Sequence, residues 1–155
     1  MDARDMAMPD VTLVKGYGMA APENPSPSER FDINHEDDVR GAVMLIYGEI
    51  MQRYNNNPVL ATLIATCVSE LAMNIVKYAK YGQIEIIYRI NRSIEIIATD
   101  RGPGINNIQQ AMQDHFSSKG TLGLGLPGVK RMVDEFDIQS PPGLGTKVRI
   151  VKWID

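Results

Sequence analysis

Glu70 and Asn74 stand four residues apart in an apolar stretch, and Lys77 follows three residues later. On a helix, the i, i+4 spacing projects the carboxylate and the carboxamide from one face, with the ammonium on an adjoining face one turn along. Such a row suits phosphoryl transfer. A carboxamide oxygen fits a hard cation such as Mg²⁺, and a carboxylate can accept or orient a proton. The same residues also describe the solvated face of an ordinary amphipathic helix, so the pattern needs company before it carries a function.

Three further segments offer that company. Asp100-Arg101-Gly102-Pro103-Gly104 ends an isoleucine-rich run, where Asp100 can accept a hydrogen bond from an amine and Gly102 and Gly104 let backbone approach a flat ligand. The plainer reading is a Gly/Pro turn. Gly123-Leu124-Gly125-Leu126-Pro127-Gly128 opens a helix, where free amides and the helix dipole favour phosphate. Its G-x-G-x-x-G pattern does not make a dinucleotide fold, because residues 115–120 before it are polar rather than strand-like, and no Gly-Lys-Ser/Thr ending makes a P-loop. Gly143-Leu144-Gly145-Thr146 reads as a hairpin turn that brings a hydroxyl, Thr146, to the start of the last strand.

The elements that must position these residues are legible as patterns. Phe31 to Asn34 is a short extended piece, and Asp37-Asp38 suit the start of a helix whose apolar stripe is Val39, Val43, Ile46, Ile50 and Tyr54. Asn55-Asn56-Asn57 breaks it, and Pro58 opens a second helix running to about Lys80. Leu60, Leu63, Ile64, Cys67, Leu71, Ile75 and Tyr78 mark its buried side. Two strands over 83–90 and 93–99 meet at Asn91-Arg92, and alternation in Ile84-Glu85-Ile86 and Ile94-Glu95-Ile96 gives a sheet with one covered and one wet face. A short helix near 108–113, a polar loop over 114–121, a helix over 126–135 and strands over 137–140 and 146–152 complete the chain. The order predicts a two-layer α/β sandwich, a mixed and mostly antiparallel sheet with helices on one face.

Composition bounds the function. The 155 residues suffice for one domain, expected over 31–155, behind a Pro-containing tail over 1–30 without periodicity and read as flexible. A net charge of −3 offers no basic field for nucleic acid. Cys67 is the only cysteine, which excludes an intrachain disulfide and a Cys-based zinc site and reads as a buried core thiol. The charged residues 1–5 precede no apolar signal segment, and no apolar run is read as a membrane span, so a soluble cytoplasmic protein is expected.

Together, Glu70-Leu-Ala-Met-Asn74-Ile-Val-Lys77-Tyr-Ala79, the Asp100 to Gly104 segment, the Gly123 to Leu126 segment and Gly143-Leu144-Gly145-Thr146 resemble the GHKL ATPase superfamily. Residues 66–79 and 111–136 look like the stressosome serine/threonine kinases within it, and the resemblance covers about residues 31–155. It implies a Bergerat-type pocket for ATP, with Asn74 on Mg²⁺, Asp100 on the adenine amine, Thr146 supporting that contact and Glu70 as base or orienting carboxylate. It further implies backbone amides of Gly123, Leu124 and Gly125 on the phosphates under a lid over about 105–122, with Lys77 and Lys119 as further phosphate contacts. The partners it implies are STAS-domain scaffold or antagonist proteins as phosphoacceptors and a downstream effector such as a phosphatase, with neither nucleic acid nor membrane. The rival within the superfamily is an anti-sigma factor that sequesters a sigma subunit and phosphorylates its antagonist. A histidine kinase module is disfavoured, because His35 precedes the first helix and His115 falls in the expected lid.

Overall fold

Two long helices cover one face of a five-stranded sheet. The computed structural model describes residues 25–105, 108–113 and 125–155. The elements are β1 (Ser28–Ile33), α1 (Glu36–Arg53), α2 (Pro58–Tyr78), β2 (Gly82–Arg89), β3 (Ser93–Asp100), α3 (Ile108–Ala111), α4 (Gly125–Met132), β4 (Glu135–Gln139) and β5 (Thr146–Trp153). The strand order is β1-β2-β3-β5-β4. Every pairing is antiparallel, so among the described residues the sheet is not mixed as expected. The extended piece at Phe31 is an edge strand that begins at Ser28, inside the span assigned to the tail.

Local chemistry explains the helix boundaries. The Asp38 carboxylate accepts the Asn34 and His35 amides at 2.9 and 3.0 Å, which stops the chain at the head of α1. Those two bonds hold the Asp38 carboxyl below its ordinary range. At the next break Asn55 and Asn56 take left-handed backbone, which asparagine tolerates better than most residues. Asn57 then caps α2 by accepting the Leu60 amide at 3.0 Å, ahead of Pro58 in the first turn.

The core lies between the helices and one face of the sheet. Ile46 and Ile50 of α1, Ile64, Cys67 and Ile75 of α2, and Ile84, Ile86, Ile94, Ile96 and Ile150 of the sheet are fully or almost fully buried. Cys67 is free and enclosed, and burial followed by the nearby Glu70 charge pushes its thiol up to about 12. By length and composition alone α2, 21 residues with an 18-residue window of mean hydropathy 1.9, would qualify to span a bilayer. In this fold its apolar side is the centre of the core.

Three local expectations are corrected. Tyr78, expected on the buried side of α2, is 43% exposed. The helix expected to reach Glu135 stops at Met132, and Glu135 already pairs with Val151 in β4. Glu95 lies on the sheet face away from the helices, yet it is only 5% exposed, because Arg89 and Arg149 both pair with it. Burial alone would raise its pKa, but the hydrogen bonds from the two arginines outweigh that and hold the carboxyl below its ordinary range.

Candidate functional site

The C-terminal half of α2 serves core and site at once. Leu71 and Ile75 are buried, while Asn74 lines a cleft of ≈ 280 Å³ walled by α2, the end of β3, the start of α4 and the start of β5. Leu71, Ala98, Leu126 and Val148 give the cleft apolar walls. Asp100, Asn74 and Thr146 are polar groups that converge on it. An apolar cavity with a few placed polar groups is the usual make-up of a small-molecule site.

Asp100 is held by the backbone around it. Its Oδ1 accepts the Gly102 amide at 2.9 Å and the Thr146 amide at 3.1 Å. These bonds set the plane of the carboxylate and leave Oδ2 without a protein donor among the described residues. An acceptor presented in this way at the wall of an apolar cleft selects a ligand donor such as an exocyclic amine.

Ser140 is a participant that sequence patterns did not reveal. It is 6% exposed, follows the last residue of β4, and its Oγ lies 2.7 Å from Thr146 Oγ1. The same oxygen accepts the Ile105 amide at 2.6 Å and lies 3.3 Å from the Gly145 carbonyl oxygen. A second tie between these segments runs from the Gly143 amide to the Pro103 carbonyl at 2.7 Å. The turn after β4 and the chain leaving β3 are thereby stitched together around Asp100.

Gly102 and Gly104 line the cleft, but what excludes a side chain at each is protein. A Cβ at Gly102 would stand 2.7 Å from the Ala79 Cβ, against the end of α2. At Gly104, with φ of +82°, it would meet the Pro141 carbonyl oxygen at 2.7 Å. The glycines therefore allow the wall of the site to close on itself.

At the other end, Gly125 begins α4 and donates its amide to Glu70 Oε1 at 3.0 Å. Glu70 is half-buried and sits behind Gly125, outside the cleft lining. Lys77 is likewise absent from the lining, half-buried in the last turn of α2, where a cation complements the helix dipole. Lys119, Gly123, Leu124, His115 and most of the expected lid lie outside the described residues. Thus Asn74, Asp100, Gly102, Gly104, Gly125 and Thr146 come together as expected, with Glu70 one hydrogen bond away.

Among the described residues no three His, Cys, Asp or Glu side chains cluster for a metal. Asn74 lines the cleft, and its carboxamide makes no hydrogen bond within the described structure. A single protein oxygen of this kind fits Mg²⁺, which draws most of its ligands from phosphate and water.

Comparison with known proteins agrees with this geometry. Residues 60–154 match the family model for histidine kinase-, DNA gyrase B- and HSP90-like ATPases. The serine/threonine-protein kinase RsbT of Bacillus subtilis (strain 168) is 49% identical over 94 residues, 59% of this chain and 71% of RsbT. The anti-sigma F factor of Caldanaerobacter subterraneus subsp. tengcongensis is 34% identical over 98 residues, 59% of this chain and 68% of the factor. The solved RsbU and RsbW domains of Rv1364c from Mycobacterium tuberculosis superpose with a TM-score of 0.59 at 17% identity, covering 83% of this chain and 32% of that one. That structural likeness shows a shared fold.

Proposed function

The chain belongs to the histidine kinase-, DNA gyrase B- and HSP90-like ATPase family, and from that premise we propose that it is an ATP-dependent protein serine/threonine kinase of a partner-switching system. The observation that carries the reading is the Asp100 carboxylate, fixed by the amides of Gly102 and Thr146 at the wall of an apolar cleft that Asn74 also lines. Adenine offers the flat apolar ring and the amine that this arrangement accepts. The beginning of α4, with Gly125 in the cleft wall, supports a phosphate end, although the Gly125 amide expected on the phosphates is given to Glu70 in this structure.

In this mechanism the γ-phosphoryl group passes from ATP to a serine or threonine hydroxyl of a docked protein, and the hydroxyl proton leaves toward Glu70 or is oriented by it. Asp100 and Thr146 hold the base. Asn74 would hold Mg²⁺, which when bound supplies charge neutralisation on the phosphates. Glu70 stands at the head of α4, with Oε1 on the Gly125 amide, so accepting or aligning a proton requires only its other oxygen or release of that bond. Catalysis is mainly positioning and electrostatics, as is general for phosphoryl transfer.

The 49% identity to RsbT supports STAS-domain scaffold or antagonist proteins as acceptors, a downstream effector such as a phosphatase, and action in the cytoplasm. The identity to anti-sigma F factors supports a second reading, in which the chain sequesters a sigma subunit and phosphorylates the antagonist that releases it. Incubation with γ-labelled ATP, Mg²⁺ and candidate STAS proteins, followed by mapping of the labelled residue, tests the proposal. Label on a serine or threonine of a STAS protein supports it. Tight capture of a sigma subunit without STAS binding favours the second reading, and no ATP binding at all removes both.

A further inference from the structure

Glu70 places an anion where a helix receives anions. Its Oε1 accepts the Gly125 amide at 3.0 Å, and Gly125 is both the first residue of α4 and part of the cleft wall. The unpaired amides and the dipole at the head of a helix attract a carboxylate and a phosphate for the same reason. This head has few donors to share, because Pro127 has no amide and the first turn is left with those of Gly125, Leu126 and Gly128. One of them is engaged by the protein's own carboxylate, which comes from α2, 55 residues earlier in the chain. No other hydrogen bond or ion pair holds Glu70 among the described residues. Gly125 itself is free to turn, since its φ of +67° is unstrained for glycine and its Cβ position meets nothing closer than Pro127 at 3.5 Å.

We infer that Glu70 competes with the phosphates of the nucleotide for the Gly125 amide, so that the carboxylate which serves the acceptor hydroxyl is released when a phosphate oxygen takes its place. The inference rests on the nucleotide reading above. A single N–H makes one strong hydrogen bond, and two anions do not share it at full strength. Phosphate binding and release of the base are therefore one exchange. Its consequence has an unusual sign: a change that removes the carboxylate stops transfer and yet tightens the nucleotide. Loss of a negative charge beside a polyanion would also tighten it, without any exchange at Gly125. Glu70→Asp separates the two causes, because it keeps the charge and, one methylene shorter, draws the carboxylate back from the Gly125 amide.

The test measures binding of adenosine, AMP, ADP and ATP by calorimetry at one Mg²⁺ concentration. Full chains of wild type, Glu70→Gln and Glu70→Asp are compared, with melting curves confirming the fold. Glu70→Gln is expected to tighten ATP by about fivefold, the difference between a charged and a neutral acceptor on one N–H, and to leave adenosine unchanged. The gain begins with the nucleotide whose last phosphate reaches Gly125. Glu70→Asp shows a smaller gain for the same nucleotides. The Gly125 amide resonance gives a reading that needs no variant: in wild type it moves when ATP binds and keeps its place with adenosine. Three results each overturn the inference: no gain for ATP in Glu70→Gln, an equal gain for adenosine and ATP, or a gain confined to Glu70→Gln, which would make it a matter of charge alone. A Gly125 resonance that responds alike to adenosine and ATP does the same, and it decides the matter if a variant fails to fold. Wild type that binds none of the four ligands overturns the nucleotide reading and this inference with it.

Discussion

Glu70 accepts the amide hydrogen of Gly125 at 3.0 Å, which joins the middle of α2 to the first residue of α4. In the proposed kinase the same carboxylate aligns or takes the proton of the incoming hydroxyl. Glu70 thus has a structural bond and, in that proposal, a chemical role, and substitution by Gln or by Ala separates the two.

Glu70→Gln keeps an acceptor for the Gly125 amide and loses the base. Glu70→Ala loses both. We predict that each lowers phosphoryl transfer by about 10²- to 10⁴-fold, the usual weight of a general base, while ATP still binds. Only Glu70→Ala should also lower the melting temperature. Asn74→Ala should instead abolish Mg²⁺-dependent ATP binding, which calorimetry with and without the ion will read. Full transfer activity in both Glu70 variants would remove Glu70 from the site.

Asp100→Asn is a sharper probe than its size suggests. An asparagine oxygen can still accept the Gly102 and Thr146 amides, but its amino group replaces the Oδ2 acceptor with a donor. ATP affinity should fall by about ten- to a hundredfold, equivalent to about 1.5–3 kcal/mol, with little change in melting temperature. Unchanged affinity would show that the amine of the ligand lies elsewhere.

The paired Glu95 makes stability depend on pH in one direction. Its folded pKa is depressed, so its contribution is complete above the unfolded value of about 4.5 and is lost as the pH falls through the folded one. Glu95→Gln should therefore cost about 1–3 kcal/mol at neutral pH and progressively less in acid. Urea unfolding of both proteins at several pH values checks this, and a cost that grows in acid would contradict it.

Cys67 should resist thiol reagents in the native state. It is fully enclosed, and its thiol is pushed up to about 12, so the reactive thiolate is scarce at neutral pH. Modification should track unfolding across a denaturant titration. Rapid labelling of the folded protein would mean that α2 opens locally.

Much of this arrangement was legible in the chain because it rests on local patterns. Pro58 after three asparagines, the i, i+4 pair on α2 and the alternating isoleucines of β2 and β3 each follow from short-range rules. Other features depend on long-range partners. The start of β4 was missed because Met132, Val133 and Phe136 fit a helical spacing, and only pairing with β5 decides for the strand. Tyr78 continued the apolar stripe of α2, yet the helix ends there at the mouth of the cleft. Glu95 looked solvated because its two arginines come from different strands. Ser140 carried no motif at all, and the sole hint was a hydroxyl residue just ahead of Pro141-Pro142, which cannot donate backbone hydrogen bonds.

The stitching of Pro103 to Gly143 and of Ile105 to Ser140 gives the cleft one finished half. Around Asp100 the glycine turns close protein against protein, whereas toward Gly125 the described wall is the first turn of α4, seated by Leu126 and Val129 and tied to Glu70 through one amide. A small planar heterocycle bearing an amine, with no phosphate at all, would therefore find a ready-made seat, and inhibitor discovery against this protein can begin from fragments of that size.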